Sequence, residues 1–174
     1  VIVVVNSPHY GGSGGWLATT STNPAANEIA IHEIGHSFVG LSDEYWAGSQ
    51  YANEKPNMTP ETDPSLVKWA DWMNIDNVGI YAYGGSSPQS DWYRPHQNCK
   101  MRYLGFPFCS VCTEAIIDQI YSLVTPIKNK IPAAFNVTYN NLPLDFQVDL
   151  ILPNPNTLSI EWTLNGTVVN SSTN

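Results

Sequence analysis

The run His32-Glu-Ile-Gly-His36, followed by Gly40, Asp43 and Glu44, constrains the chain twice. On an α-helix, residues four apart share a face, so both imidazoles point toward one place and Glu33 stands about 100° round from His32. Beyond the helix the chain must turn back sharply. Two imidazoles leave a metal site incomplete, and the next donors along the sequence are the two acids after Gly40. The helix itself is well bounded. Asn23 suits the N-cap, Pro24 the first helical position, Ala25, Ala26 and Glu28 the first turns, and Gly40 the left-handed residue that ends it. Ile31, Ile34 and Phe38 form a stripe roughly opposite the histidine edge, which predicts one face in a core and the other along a cleft.

Spacing also selects among the acids. Metzincin peptidases carry HExxHxxGxxH or HExxHxxGxxD, in which the glycine lets the chain double back and the third ligand follows three residues later. In this chain the glycine comes one residue late, but Asp43 keeps the three-residue step from Gly40 and is the expected third ligand. Glu44 is then a partner for a nearby cation or, failing Asp43, the ligand itself. Far downstream, Cys99-Lys-Met-Arg-Tyr103 resembles the Met-turn that metzincins place beneath the metal, with Met101 as its methionine. A lone methionine is ordinarily core filler. Tyr103, two residues on, strengthens the reading as the candidate to hydrogen-bond a tetrahedral intermediate.

The segments VNSPHYGGSGGWLATTS, HEIGHSFVGLSDEY, NEKPNMTPETDPSLVKW and YRPHQNCKMRYLGFPFCSVC resemble the bacterial metallopeptidase family whose founding member cleaves immunoglobulin A. The resemblance spans residues 1–125. It implies an α/β (α+β) metzincin-like catalytic domain with one catalytic zinc, held by His32, His36 and Asp43, with Glu33 as the catalytic residue. It also implies endopeptidase action on an extracellular protein by a secreted or cell-surface bacterial enzyme. Immunoglobulin A is the family's named target, and other host or dietary glycoproteins fit the same resemblance. The expected chemistry is metal-assisted amide hydrolysis with Glu33 as general acid/base and Tyr103 steadying the oxyanion. The competing reading is a metal-stabilised module that binds a glycoprotein without cleaving it. Glu33 argues against that reading, because a purely structural zinc has four protein ligands and no use for such a carboxylate.

Composition narrows the partners. A net charge of −8 and a pI near 4.7 argue against nucleic acid and an anionic membrane surface as partners and say little about which peptide binds. No apolar run reaches transmembrane length. Val1 to Val5 reads as a buried strand. A chain opening directly in such a strand is expected to be an N-terminally truncated catalytic domain. The stretch Tyr10 to Trp16 is too glycine-rich for regular structure and suggests a mobile rim loop. Leu17 to Thr22 is either an ordinary surface strand or an edge along which an extended peptide pairs.

Between the zinc helix and the Met-turn, Pro64 to Met73 is expected to form a short helix burying Leu66, Trp69 and Trp72. Arg94 is either half of a structural salt bridge or a contact for substrate carbonyls, Asp43 or Glu44. Three cysteines, Cys99, Cys109 and Cys112, favour a disulfide between Cys99 and one of the others, with a second structural zinc including His96 as the alternative and calcium among the Asn and Asp side chains as another. A helix is expected from Cys112 to Leu123. From Pro126 the texture becomes short alternating runs, including AFNVTY, FQVDLIL and LSIEWTLNGTVV, with Asn165-Gly166 as a hairpin turn and Trp162 as a core residue. Residues 126–174 thus read as a partial immunoglobulin-like β-sandwich with a binding or spacer role.

Overall fold

The computed structural model describes residues 1–84, 90–138 and 140–173. The chain divides into two units, 1–120 and 121–174. In the first, β1 (Ile2–Val4) pairs in parallel with β2 (Ala18–Thr20). The opening apolar run is a strand, as its composition predicts, but it is not buried: Ile2, Val3 and Val4 are 47%, 40% and 62% exposed. A two-stranded sheet covers one edge of β1 and neither of its faces, so apolar side chains alone did not determine burial. β2 is the buried partner, with Ala18 and Thr20 inward. Its far edge is not free. Ser13 exchanges both backbone hydrogen bonds with Thr19, and their hydroxyls lie 3.0 Å apart.

The motif helix α1 (Ala26–Ile34) continues into a wider π turn over Gly35–Val39. Asn23 accepts a hydrogen bond from the Ala25 amide through its side chain at 3.0 Å, so it caps the approach to the helix rather than its first turn. Gly40 closes the helix at φ 76°, with the Leu41 amide reaching back to the Gly35 carbonyl at 3.0 Å. The π turn accounts for the late glycine: a single wide turn takes up one extra residue without moving His32 and His36 off their shared face. The expected core stripe is corrected here. Ile31 is exposed and Ile34 and Phe38 are only half-buried, while Ile29, His32, Glu33 and Gly35 form the buried face. The helix buries its chemistry.

The core of this unit is built from the loops that follow. Leu41, Val67, Trp69, Val78 and Met101 pack together with all three cysteines. Over the expected helix at 64–73 the chain makes turns and a short 3-10 segment at Ala70–Trp72; Trp69 is buried with its indole N–H on the Gly79 carbonyl, while Leu66 is exposed. Prolines and Asx turns such as Asp63 with Ser65 break the helical period before it is established. β3 (Tyr81–Ala82) and β4 (Tyr93–Arg94) make a minimal antiparallel ladder. α2 (Ser110–Leu123) starts slightly earlier than predicted, with Val111 and Cys112 inward.

In the second unit β5 (Ile127–Ile131) pairs antiparallel with β6 (Gln147–Leu150), and β7 (Ser159–Leu164) with β8 (Thr167–Thr173). Asn165 and Gly166, at φ 50° and 81°, turn the second hairpin as the sequence predicts. Trp162 meets Phe146 edge-on at 6.3 Å and stays half-buried. Among the described residues the four strands remain two separate two-stranded ladders, and no immunoglobulin-like sandwich is closed. Ala134 to Thr138 is not a strand, and Tyr139, the end of that run, lies outside the described residues. No described helix is long and apolar enough to cross a membrane.

Candidate metal centre

Three side chains separated in sequence converge at the π turn. His32 Nε2 and His36 Nε2 lie 3.1 Å apart, and Asp43 Oδ1 is 3.0 and 3.1 Å from them. The other nitrogen of each ring decides what this means. His32 Nδ1 is 3.0 Å from the Lys100 carbonyl and His36 Nδ1 is 2.7 Å from the Leu41 carbonyl. A carbonyl only accepts, so each Nδ1 carries the proton, and a neutral ring then presents a lone pair at Nε2. Two lone pairs and a carboxylate oxygen therefore meet at one point, an arrangement that a cation resolves. Tetrahedral zinc, with bonds of about 2.0–2.2 Å, needs its ligand atoms about 3.3–3.4 Å apart. The three donors fit after opening by a few tenths of an ångström.

A proton competes with metal at this point. Burial works against a charged His36, but the hydrogen bond to Asp43, then the Leu41 carbonyl and the Asp43 charge, outweigh it and raise its pKa. Burial likewise works against the Asp43 carboxylate, and the two histidines overcome it, holding the group well below the usual carboxylate range.

Glu33 is buried beside the pair, and burial raises its pKa while the histidines partly oppose the rise. It borders two adjoining hollows of about 450 and 420 Å³. One is shared with Tyr103, Arg102 and Tyr10, the other with His36, Asp43 and Lys55. Together they form a cleft across the motif helix. Tyr103 is 45% exposed, with the Arg102 guanidinium over its ring at 4.7 Å.

The segment around Met101 underpins the histidines. Met101 is fully buried, and a Cβ at Gly35 would come within 2.7 Å of its sulfur, so only glycine there lets the methionine seat directly against the helix. The neighbouring Lys100 carbonyl orients His32, and the Lys100 ammonium pairs with Glu28 on α1. The glycine-rich loop borders both hollows and packs against the motif helix. A Cβ on Gly14 would lie 2.4 Å from His36 Cβ, so the loop backbone rests on that histidine.

Residues 1–77 match the family model of IgA Peptidase M64. That stretch is similar to the IgA peptidase M64 family. The match covers β1, β2, the motif helix and the turn bearing Asp43. Met101 and Tyr103 lie beyond it. No curated protein matches the chain closely enough to count as a relative.

Other sequence expectations fall away from the centre. Glu44 is not at it: its carboxylate is buried with Asn57 and Cys112, and burial pushes its pKa well above the ordinary value. Among the described residues Arg94 forms no ion pair with Asp43 or Glu44; its guanidinium holds the His96 carbonyl and the Gln97 side chain. His96 bonds to the Asp76 carbonyl and accepts from the Asn98 amide, and the residue that clusters with the three cysteines is Glu44. No disulfide forms, since Cys99 and Cys112 sulfurs stand 3.6 Å apart against about 2.05 Å for the bond. Sequence reasoning passed over Tyr45. Its ring stacks on His32 at 6.3 Å, and burial together with Asp43 pushes its hydroxyl up to about 12. The only hint was its place directly after the two acids.

Proposed function

We propose that this chain is a zinc-dependent endopeptidase with a metzincin-like catalytic unit, hydrolysing extracellular proteins, with immunoglobulin A and other host glycoproteins as the candidate substrates. The observation that carries the reading is the convergence of two Nε2 lone pairs and the Asp43 carboxylate, with a fourth side open to a cleft bordered by Glu33.

His32, His36 and Asp43 would hold the metal, and bound zinc would supply a Lewis acid for the scissile carbonyl and for water. Glu33 takes the proton from water and returns it to the leaving amine. Its burial disfavours the ionised form and so strengthens it as a base. The Tyr103 hydroxyl donates to the oxygen on which negative charge develops. The Lys100 and Leu41 carbonyls hold both rings with Nε2 toward the centre, and Tyr45 packs against His32. Such an enzyme works secreted or at the bacterial cell surface, where its substrates are.

Glu33→Gln tests the assignment and separates it from a binding module. The variant should keep its metal, measured by elemental analysis, and lose about 10²–10⁴-fold in kcat/KM on a protein substrate panel that includes immunoglobulin A. Near-native turnover would remove Glu33 from the mechanism. Metal-loaded wild type that binds but never cleaves any panel member would favour the binding module.

A further inference from the structure

We propose a second metal site in this chain, closed and structural, in which Cys99, Cys109, Cys112 and Glu44 hold one zinc-class divalent cation beneath the Met-turn. One ligand atom from each of the four lies within 4.8 Å of all the others. The Cys99 and Cys112 sulfurs are 3.6 Å apart, and Cys112 sulfur is 3.5 Å from Glu44 Oε1. Zinc bonds of about 2.3 Å to sulfur and 2.0–2.2 Å to oxygen set tetrahedral edges of about 3.8 and 3.5 Å, so these atoms already stand nearly where a cation would require them.

The surroundings argue the same way. Cys99 and Cys112 are fully buried, and Glu44 is 1% exposed. Asn57 donates to Glu44 Oε1 at 2.9 Å, but Oε2 is buried without any partner. An isolated buried carboxylate is costly unless paired or bound to metal. The Cys109 amide points at Cys99 sulfur at 3.4 Å, a donor that favours the thiolate. A disulfide would use two of the three sulfurs and leave the third and the carboxylate unaccounted for. One cation uses all four. Three soft thiolates select zinc over calcium or magnesium, and four protein ligands leave no open position for chemistry.

The ligands come from the three segments that frame the cleft: the turn bearing Asp43, the Met-turn whose Lys100 carbonyl orients His32, and the first turn of α2. The Glu44 amide already donates to the Met101 carbonyl at 2.8 Å. The cation would therefore cross-link the supports of the first site without touching substrate. The inference stands on its own residues, apart from the peptidase reading.

The test uses the full chain and a His32→Ala/His36→Ala variant that removes the first site while leaving the cysteine cluster intact. Elemental analysis should find two zinc equivalents in the wild type and one in the variant. After cobalt exchange, the variant should show thiolate-to-cobalt charge transfer in the near ultraviolet. A variant holding no metal, or one whose cobalt spectrum lacks that band, would overturn the site, as would a Cys99 disulfide found by non-reducing peptide mapping. If the histidine centre is wrong instead, the wild type would hold one zinc with the thiolate signature, unchanged by the histidine substitutions.

Discussion

Gly14→Ala places the smallest possible probe against the candidate metal centre. The added Cβ would sit 2.4 Å from His36 Cβ, 2.8 Å from Cδ2 and 2.9 Å from Cγ. Carbon contacts relax at about 3.5–4.0 Å, so something must move by about 1 Å. His36 Cβ is held by the helix, and its ring is pinned by the 2.7 Å hydrogen bond to Leu41. Either the loop lifts, breaking the Ser13–Thr19 bridge, or the ring turns and spoils its alignment with His32 and Asp43. Overpacking of this kind costs about 1–3 kcal/mol, a fall of several degrees in Tm. A 1 Å misplacement of a catalytic group costs about 10²-fold in rate. Differential scanning calorimetry, zinc affinity by competition with a chelator, and kcat/KM on a general protein substrate would all be measured. Ser13→Ala serves as the control, since it removes the 3.0 Å hydroxyl contact to Thr19 without a clash at His36. Native Tm, metal affinity and turnover in Gly14→Ala would refute the packing of the loop on His36 and the argument built on it.

Two more predictions test the supports of the site. Met101→Ala should lower unfolding stability by about 2–5 kcal/mol in denaturant titration, whereas Met101→Leu should cost less than about 1.5 kcal/mol; equal, small effects would remove Met101 from the base of the helix. In metal-free protein, Asp43 and His36 form a pH-dependent pair. The depressed Asp43 pKa gives stability that is present above about 3.9 and lost as pH falls through its folded value. The raised His36 pKa gives stability present below about 6.5 and lost as pH rises through its folded value. The Tm difference between metal-free wild type and Asp43→Ala should therefore be greatest between these limits, and a flat difference from pH 3 to 9 would contradict the pairing.

What was legible in the sequence is local. Four-residue spacing put His32 and His36 on one face of a helix, Gly40 ended it, and the three-residue step brought Asp43 to them, because each depends only on backbone geometry over a few turns. The Asn165-Gly166 hairpin was legible for the same reason. The late glycine was visible as an anomaly, but its cause, a π turn, belongs to the folded helix. The stripe of Ile31, Ile34 and Phe38 misled because periodicity reports which side chains share a face, not which face another layer covers. The same limit explains the exposure of β1.

Tertiary structure alone decided the rest. It set the Lys100 carbonyl behind His32, seated Met101 against Gly35 and laid the glycine loop on His36, contacts between segments tens of residues apart that no short-range rule specifies. It also decided where the second of the two adjacent acids went, Glu44 to the cysteines, which spacing left open. Asp43 and Glu44 are indistinguishable by composition, yet one carboxylate faces the histidines and the other lies among the cysteines. The reason is physical: neighbouring side chains on a turn leave the backbone in different directions, and what each meets depends on which distant segment has packed there.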